Sequence, residues 1–586
     1  MRIAPRIGSR LCVFGLALAA CSGSDKPAAP EAPPTAFVFP PDTPPPAEKG
    51  RALLARAAAF VPADASLVLV FRSWRDTVDS LALKGLFDHP VGRTLLEAWR
   101  VGGITVTDLP GLRSLGMEVD SSLVFAILPD GTLDLVVASE TPAKLLGLFE
   151  LLPRQKTGPA VKVQGRESHS YIVDDTRFTA VLHDRHFQVL ITPAGAAQDA
   201  IDSVVQGAFD SAPLWLKRAE ALPSPVASTI VLWTPGDPPN PTPDPAAPLN
   251  PSLMTIMAEF GSNYRAGETL QALSFPNGSM RLDETSLVVD GAAAAAKART
   301  GISPDSLLRI LPAGAAYASA ALFSKADAAV AAKLLGRLPP DDGSALARLR
   351  EVIDGVVADL SPNMFGGDAK PDQRRAVVTA IWPAAALGPV SETGNAAPGS
   401  GPAADVGGDV LIGLETGHLV DSDTVLRKLL EAVAHVFSIV TPDISKTTVA
   451  GAPAWKLALG RPLLCAAREP LVLCSLGEAP LKAALQLSAA GLPPADPAST
   501  VLSLTALDLP AVAGRLGGML NAVGAGSSAE IVSLLAEDIG TITFSERLTD
   551  STAAIVVKLG DRGHPILPSL VPRVVQKVGP LLHGLE

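Results

Sequence analysis

Short apolar runs alternate along this chain with Ala/Leu-rich stretches at helical spacing. The first run, Val61-Pro62-Ala63-Asp64-Ala65-Ser66-Leu67-Val68-Leu69-Val70-Phe71, joins a helical segment over 51–60, stopped by Pro62, to a buried-type strand over 67–71. A helix over 76–99, broken near Pro90, follows. Residues 122–128 and 132–138 alternate around Asp130-Gly131, a favoured two-residue hairpin turn. Thr141 as N-cap and Pro142 in the first turn open a helix carrying Leu145, Leu146, Leu148 and Leu151. Strands over 168–173, 177–182 and 187–192 come next, then a helix over 194–205. A strand over 229–233, a helix over 252–260 and a hairpin at Asn277-Gly278 complete the unit.

The pattern then restarts. Leu311-Pro312-Ala313-Gly314-Ala315-Ala316-Tyr317, running on to Phe323, repeats the opening run. Strands over 375–382 and 409–414 stand where the first hairpin stood, and a helix over 424–437 matches the one opened by Pro142. Strands around Leu463 and Leu471 and a helix over 479–488 complete the echo. Ala227-Ser228-Thr229-Ile230-Val231-Leu232 has a counterpart in Ala498-Ser499-Thr500-Val501-Leu502-Ser503. Same element types in the same order imply duplication. The predicted class is α+β: two tandem, structurally similar modules, each an antiparallel sheet with helices packed on one face. Module one spans 51–300 and module two 301–562. Residues 563–586 form a tail in which Leu570, Val571, Val574, Val575 and Val578 suit an amphipathic helix. The Pro-rich stretch 235–251 and the Gly/Ala-rich stretch 384–408 are loop insertions.

Composition agrees with a folded chain of more than one core: 586 residues, 47% apolar but only 4% aromatic, with 50 Gly and 53 Pro. Its N-terminus is different in kind. Arg2, Arg6 and Arg10 precede an apolar stretch from Leu11 to Ala20, and Leu18-Ala19-Ala20-Cys21-Ser22 closes it. This resembles the lipobox of bacterial lipoproteins. The resemblance implies removal of residues 1–20, acylation of Cys21 and attachment to the lipid bilayer of the cell envelope. Ser22, where an Asp retains such proteins at the inner membrane, resembles the outer-membrane class. Residues 21–50 are a Pro-rich tether favouring polyproline II, at about 3.1 Å per residue; within it lies the apolar patch Phe37-Val38-Phe39. Loss of three arginines leaves 45 basic against 59 acidic groups, a formal charge of −14. Phosphate backbones repel such a chain, so no nucleic acid is expected as a partner. The recurring Pro-Ala-Asp start and the duplicated element order resemble a family of exported bacterial proteins of unknown function, over about 53–560. Gly314 stands in place of the Asp in the second copy. That family implies no catalytic residue.

Candidate chemistry is sparse. Cys465 and Cys474 flank Ala-Ala-Arg-Glu-Pro, and a turn centred between Glu469 and Pro470 sets them opposite each other on one face. A disulfide and two buried thiols are both open readings. His169, His183 and His186 lie on neighbouring strands with Asp174 and Asp175 nearby, a possible metal or catalytic cluster. His435 sits on the helix over 424–437. Gly524-Ala525-Gly526-Ser527-Ser528-Ala529 mimics a dinucleotide loop but follows a helical stretch instead of a strand, and Asp341-Asp342-Gly343 is a turn. No nucleophile elbow, zinc-protease helix or phosphate loop is present, and no cofactor is implied. Three functions remain in this order: a non-enzymatic envelope protein that binds a protein partner or acts as a scaffold, a carrier of lipid or another apolar ligand, and a hydrolase or metal enzyme.

Overall fold

The computed structural model describes residues 34–40, 47–49, 60–62, 65–83, 104–151, 155–156, 161–163, 165–173, 175–196, 223–225, 228–235, 266–288, 302–324, 374–382, 409–416, 422–436, 439, 441–459, 461–489, 491–492, 501–513, 526–549, 552–560, 566–570 and 572–574. The lipobox with Cys21, the helices over 51–59, 84–99, 197–205 and 252–260, and the 384–408 loop lie outside the described residues.

The first half of the chain supplies β1 (Leu67–Phe71), β2 (Leu123–Ile127), β3 (Leu133–Ala138), β4 (Gln155–Lys156), β5 (Val161–Val163), β6 (Arg166–Val173), β7 (Thr176–Leu182), β8 (His186–Pro193), β9 (Ser228–Thr234), β10 (Ala266–Ser274) and β11 (Met280–Val288). The second half supplies β12 (Tyr317–Ser324), β13 (Arg374–Trp382), β14 (Asp409–Glu415), β15 (Ile444–Val449), β16 (Ala452–Leu457), β17 (Leu463–Arg468), β18 (Leu471–Leu476), β19 (Val501–Asp508), β20 (Thr541–Leu548) and β21 (Thr552–Leu559). All 21 belong to one sheet, and every pairing is antiparallel.

From one edge, where β4 and β5 share a position beside β6, the order runs β6–β7–β8–β3–β2–β1–β9–β10–β11. It continues β21–β20–β19–β12–β13–β14–β18–β17–β16–β15 to the other edge. The second series has the order of the first, reversed. The join is β11 against β21, from Met280 opposite Leu559 to Leu287 opposite Thr552. The expectation of a separate sheet in each module is therefore corrected. Neither β11 nor β21 carries a pattern that tells a free edge from one that finds a second edge. Pairing satisfies a row of backbone donors and acceptors that a free edge leaves to solvent. At the join Arg281 is buried, and its Nε and Nη2 donate to the Asp283 carboxylate at 2.7–3.0 Å.

Helices α1 (Trp74–Ser80), α2 (Leu109–Ser114), α3 (Pro142–Leu151), α4 (Pro304–Leu308), α5 (Ser422–Val436), α6 (Glu478–Ala489) and α7 (Gly526–Ile539) cover the sheet. The expectation of helices on one face is also corrected. Leu426, Leu430 and Ala434 of α5 pack on Cys465 and Val472, whereas Leu481, Ala484 and Leu485 of α6 pack with Leu464, Ala466 and Leu473. Successive strand residues point to opposite faces, so α5 and α6 lie on opposite sides of β17 and β18. Both faces of these two strands are apolar, and a helix buries each. Residues 566–570 and 572–574 are helical, and Ile566, Leu570 and Val574 pack on Ile539, Leu559 and Met280 across the join. Asp538 fixes them, accepting from Ser569 Oγ at 2.6 Å and Arg573 Nη1 at 2.9 Å.

Candidate functional site

A buried polar constellation lies in the first half, on the face of β3, β7 and β8 away from α3. Register sets it. Val136 pairs with Gln188, and Gln188 with Val181, so Asp134, Gln188 and the residues around the 183–186 turn share one face. The amide of Gln188 donates through Nε2 to both Asp134 oxygens, at 3.0 and 3.1 Å. Its Oε1 accepts from His183 Nε2 at 2.9 Å, which places a proton on that nitrogen. Nε2 also reaches the carbonyl of Phe60 at 3.5 Å. The Phe60 ring covers the cluster, edge-on to His183 with centroids 5.1 Å apart and tilted on His186 at 4.5 Å. Asp134 and Gln188 are fully buried.

The electrostatics follow from burial. Desolvation pushes the Asp134 carboxyl up to about 7, against the opposing pull of the Gln188 hydrogen bond. It pushes His183 down to about 4, again against Gln188, and lowers His186 as well. At the mouth of the turn the Ser121 hydroxyl holds Glu118 below the ordinary carboxylate range, helped by Arg185 at 3.0 Å. The cluster can therefore hold a proton near neutral pH on Asp134 while keeping His183 neutral. Asp134, Gln188 and His183 bond to one another, and Phe60 closes over them.

The histidines expected to converge do so in part. His183 and His186 share the Phe60 contact. His169 does not join them: it pairs with Ala180, whose face carries Phe187 and Val189 and packs under Leu146 of α3. One residue of parity puts it on the far side of the sheet, where its Nε2 meets Glu167 Oε1 at 2.7 Å. Asp175 sits in the turn at the opposite end of β7 from His183, and Asp174 lies outside the described residues. His435 is on α5, with its side chain outside the described residues. Among the described residues no group of three His, Cys, Asp or Glu could hold a metal ion. Sequence reasoning missed Asp134 and Gln188. The available signal was a charge inside Leu133-Asp134-Leu135-Val136 and an amide inside Phe187-Gln188-Val189, both in otherwise apolar strands.

In the second half, Cys465 opposes Cys474 across the β17–β18 hairpin with Cα atoms 4.1 Å apart, and their sulfurs are joined. The pair lies under α5.

No protein-family model matches the chain, and no sequence relative is found among characterised proteins. Among solved structures, three crystal forms of the Treponema protein TP0453 are similar over 39–40% of this chain and 79–80% of theirs, at 11–12% identity. The TM-scores are 0.24–0.25, too low for any argument from fold or function.

Proposed function

We propose that this is a lipid-anchored protein of the bacterial envelope, built from two tandem copies of one module, that acts as a non-enzymatic scaffold or binding platform. The supporting observation is the strand order. Each half runs through ten sheet positions in the same sequence, and the two series meet edge to edge at β11 and β21. We place the modules at 51–300 and 301–562; pairing of β11 with β21 makes the two halves one hydrogen-bonded surface. The Asp134–Gln188–His183 cluster fits this reading, since its groups bond to one another beneath Phe60. Acylation at Cys21 places the platform at a membrane, and Ser22 favours the outer one.

Partitioning between detergent and aqueous phases tests the anchor. The wild type is expected in the detergent phase and Cys21→Ser in the aqueous one; equal partitioning removes the anchor from the account. Native mass spectrometry of Cys21→Ser tests the class. The platform reading predicts the mass of the bare chain, and a stoichiometric co-purified lipid assigns the protein to the carriers instead.

A further inference from the structure

The Pro-rich N-terminal stretch is not simply a spacer. At Ala36 it forms an antiparallel bridge to Pro312, inside the second copy of the opening run. The Phe37 amide donates to the Leu311 carbonyl at 2.7 Å, and the Ala313 amide donates to the Thr35 carbonyl at 2.8 Å. Side chains alternate as in a strand: Phe37 and Phe39 pack against the core that holds Leu311, Leu307 and Trp382, while Val38 is 78% exposed. The receiving segment is itself held, because Trp382 Nε1 donates to the carbonyls of Pro312 and Ala313 at 3.3 and 3.2 Å. Two backbone hydrogen bonds with alternate aromatic anchors are the mode by which an extended peptide adds to a sheet protein.

We infer that residues 35–39 are a strap that fastens the second half to the membrane anchor and sets how far the protein stands from the bilayer. The membrane part rests on acylation at Cys21; the docking does not. Thr35 lies fourteen positions beyond Cys21, a reach of about 45 Å as polyproline II. With the strap released, the next paired residue among those described is Ala47, opposite Pro225 and 26 residues from Cys21, which extends the reach to about 80 Å. Docking thus selects the shorter of two tethers and gives the second half, not the first, the membrane-proximal position. The site on the second half accepts an extended segment with aromatic residues at alternate positions, filled here by the chain's own Phe37 and Phe39.

Hydrogen exchange on the full-length acylated protein in phosphatidylethanolamine/phosphatidylglycerol liposomes tests the strap. Amides of Phe37 and Ala313 are expected to exchange on the order of a hundredfold more slowly than in an unstructured peptide. Phe37→Asp with Phe39→Asp abolishes that protection at both, whereas Val38→Asp, at the exposed position, retains it. Energy transfer from a donor on the second half to a lipid acceptor then falls in the double variant as the protein rises from the surface. Unprotected amides in the wild type, or equal effects of Val38→Asp and the double variant, overturn the docking. Unchanged transfer in a double variant that has lost protection overturns the standoff role. Failure of the wild type to enter the liposomes, with protection intact in solution, removes the anchor and leaves the docking standing.

Discussion

The two halves of the sheet solve one position in opposite ways. Counting back from the 183–186 turn and from the Arg468–Leu471 turn, Asp134 and Gln188 occupy the sheet positions that Leu411 and Leu473 occupy in the second half. Phe60 precedes Val61-Pro62 as Ile310 precedes Leu311-Pro312, and Ile310 lies over Gly413 as Phe60 lies over the polar cluster. Gly413 is itself tightly enclosed: a Cβ there meets Val378 at 2.6 Å and Leu473 at 2.8 Å. On the other face the asymmetry reverses. Cys465 and Cys474 are bonded under α5, and Ala180 and Val189 stand in their place under α3. The sheet therefore needs neither the polar cluster nor the cystine in order to form. Each is an addition to one half, and the other half is its internal control.

The largest expected effect comes from breaking the polar cluster at its centre. Gln188→Leu leaves a buried carboxyl and a buried imidazole without the amide that joins them, at a cost of about 3–5 kcal/mol. Replacing the whole cluster with apolar residues (Asp134→Leu and Gln188→Leu, as the second half has those two positions, together with His183→Met) removes the unsatisfied groups together and costs much less. Denaturant unfolding checks both. A triple variant less stable than Gln188→Leu contradicts the comparison.

pH dependence sharpens it. Asp134 is raised from 3.8 to about 7 on folding, so its contribution is complete below pH 3.8 and is lost as pH rises to about 7. His183 is lowered from 6.5 to about 4, so its contribution is complete above pH 6.5 and is lost as pH falls to about 4. Between pH 4 and 6.5 these two slopes oppose and offset each other in the wild type. Asp134→Asn leaves the histidine alone, and stability climbs by about 1.4 kcal/mol per pH unit across that window. His183→Gln leaves the carboxyl alone, and stability falls with rising pH at a similar rate. Identical pH profiles for the wild type and both variants contradict the burial assigned to the cluster.

The smallest effect is at the cystine. A bridge closing so short a loop contributes about 2–3 kcal/mol. Reduction therefore lowers stability by that amount, with faster hydrogen exchange in β17 and β18 and none in β7 and β8. Intact mass without reduction is expected to show the bonded form; two free thiols contradict it.

Much of this arrangement was readable in the sequence because it rests on strong local signals. Alternation around Asp130-Gly131 and the cap at Thr141-Pro142 give β2, β3 and α3 within a residue or two, and the run around Pro62 returns at Pro312. The β15–β16 hairpin was missed. β15 is an outer strand with half of its side chains exposed, and its turn places Ala450 at φ 50° ahead of Gly451, where the usual signal is Asn or Asp. The polar cluster was missed for a different reason. His183, Gln188 and Asp134 meet through cross-strand register, and register comes from pairing that no single run of residues announces. The same parity that placed His169 among its expected partners in sequence sends it to the opposite face in space.

The join between the halves is what makes the two series one sheet. Hydrogen exchange over Met280–Val288 and Thr552–Leu559 measures it. One sheet predicts that both strands exchange as slowly as the inner strands β1 and β12 and open together. Fast exchange along both, with independent unfolding of the two halves, contradicts it.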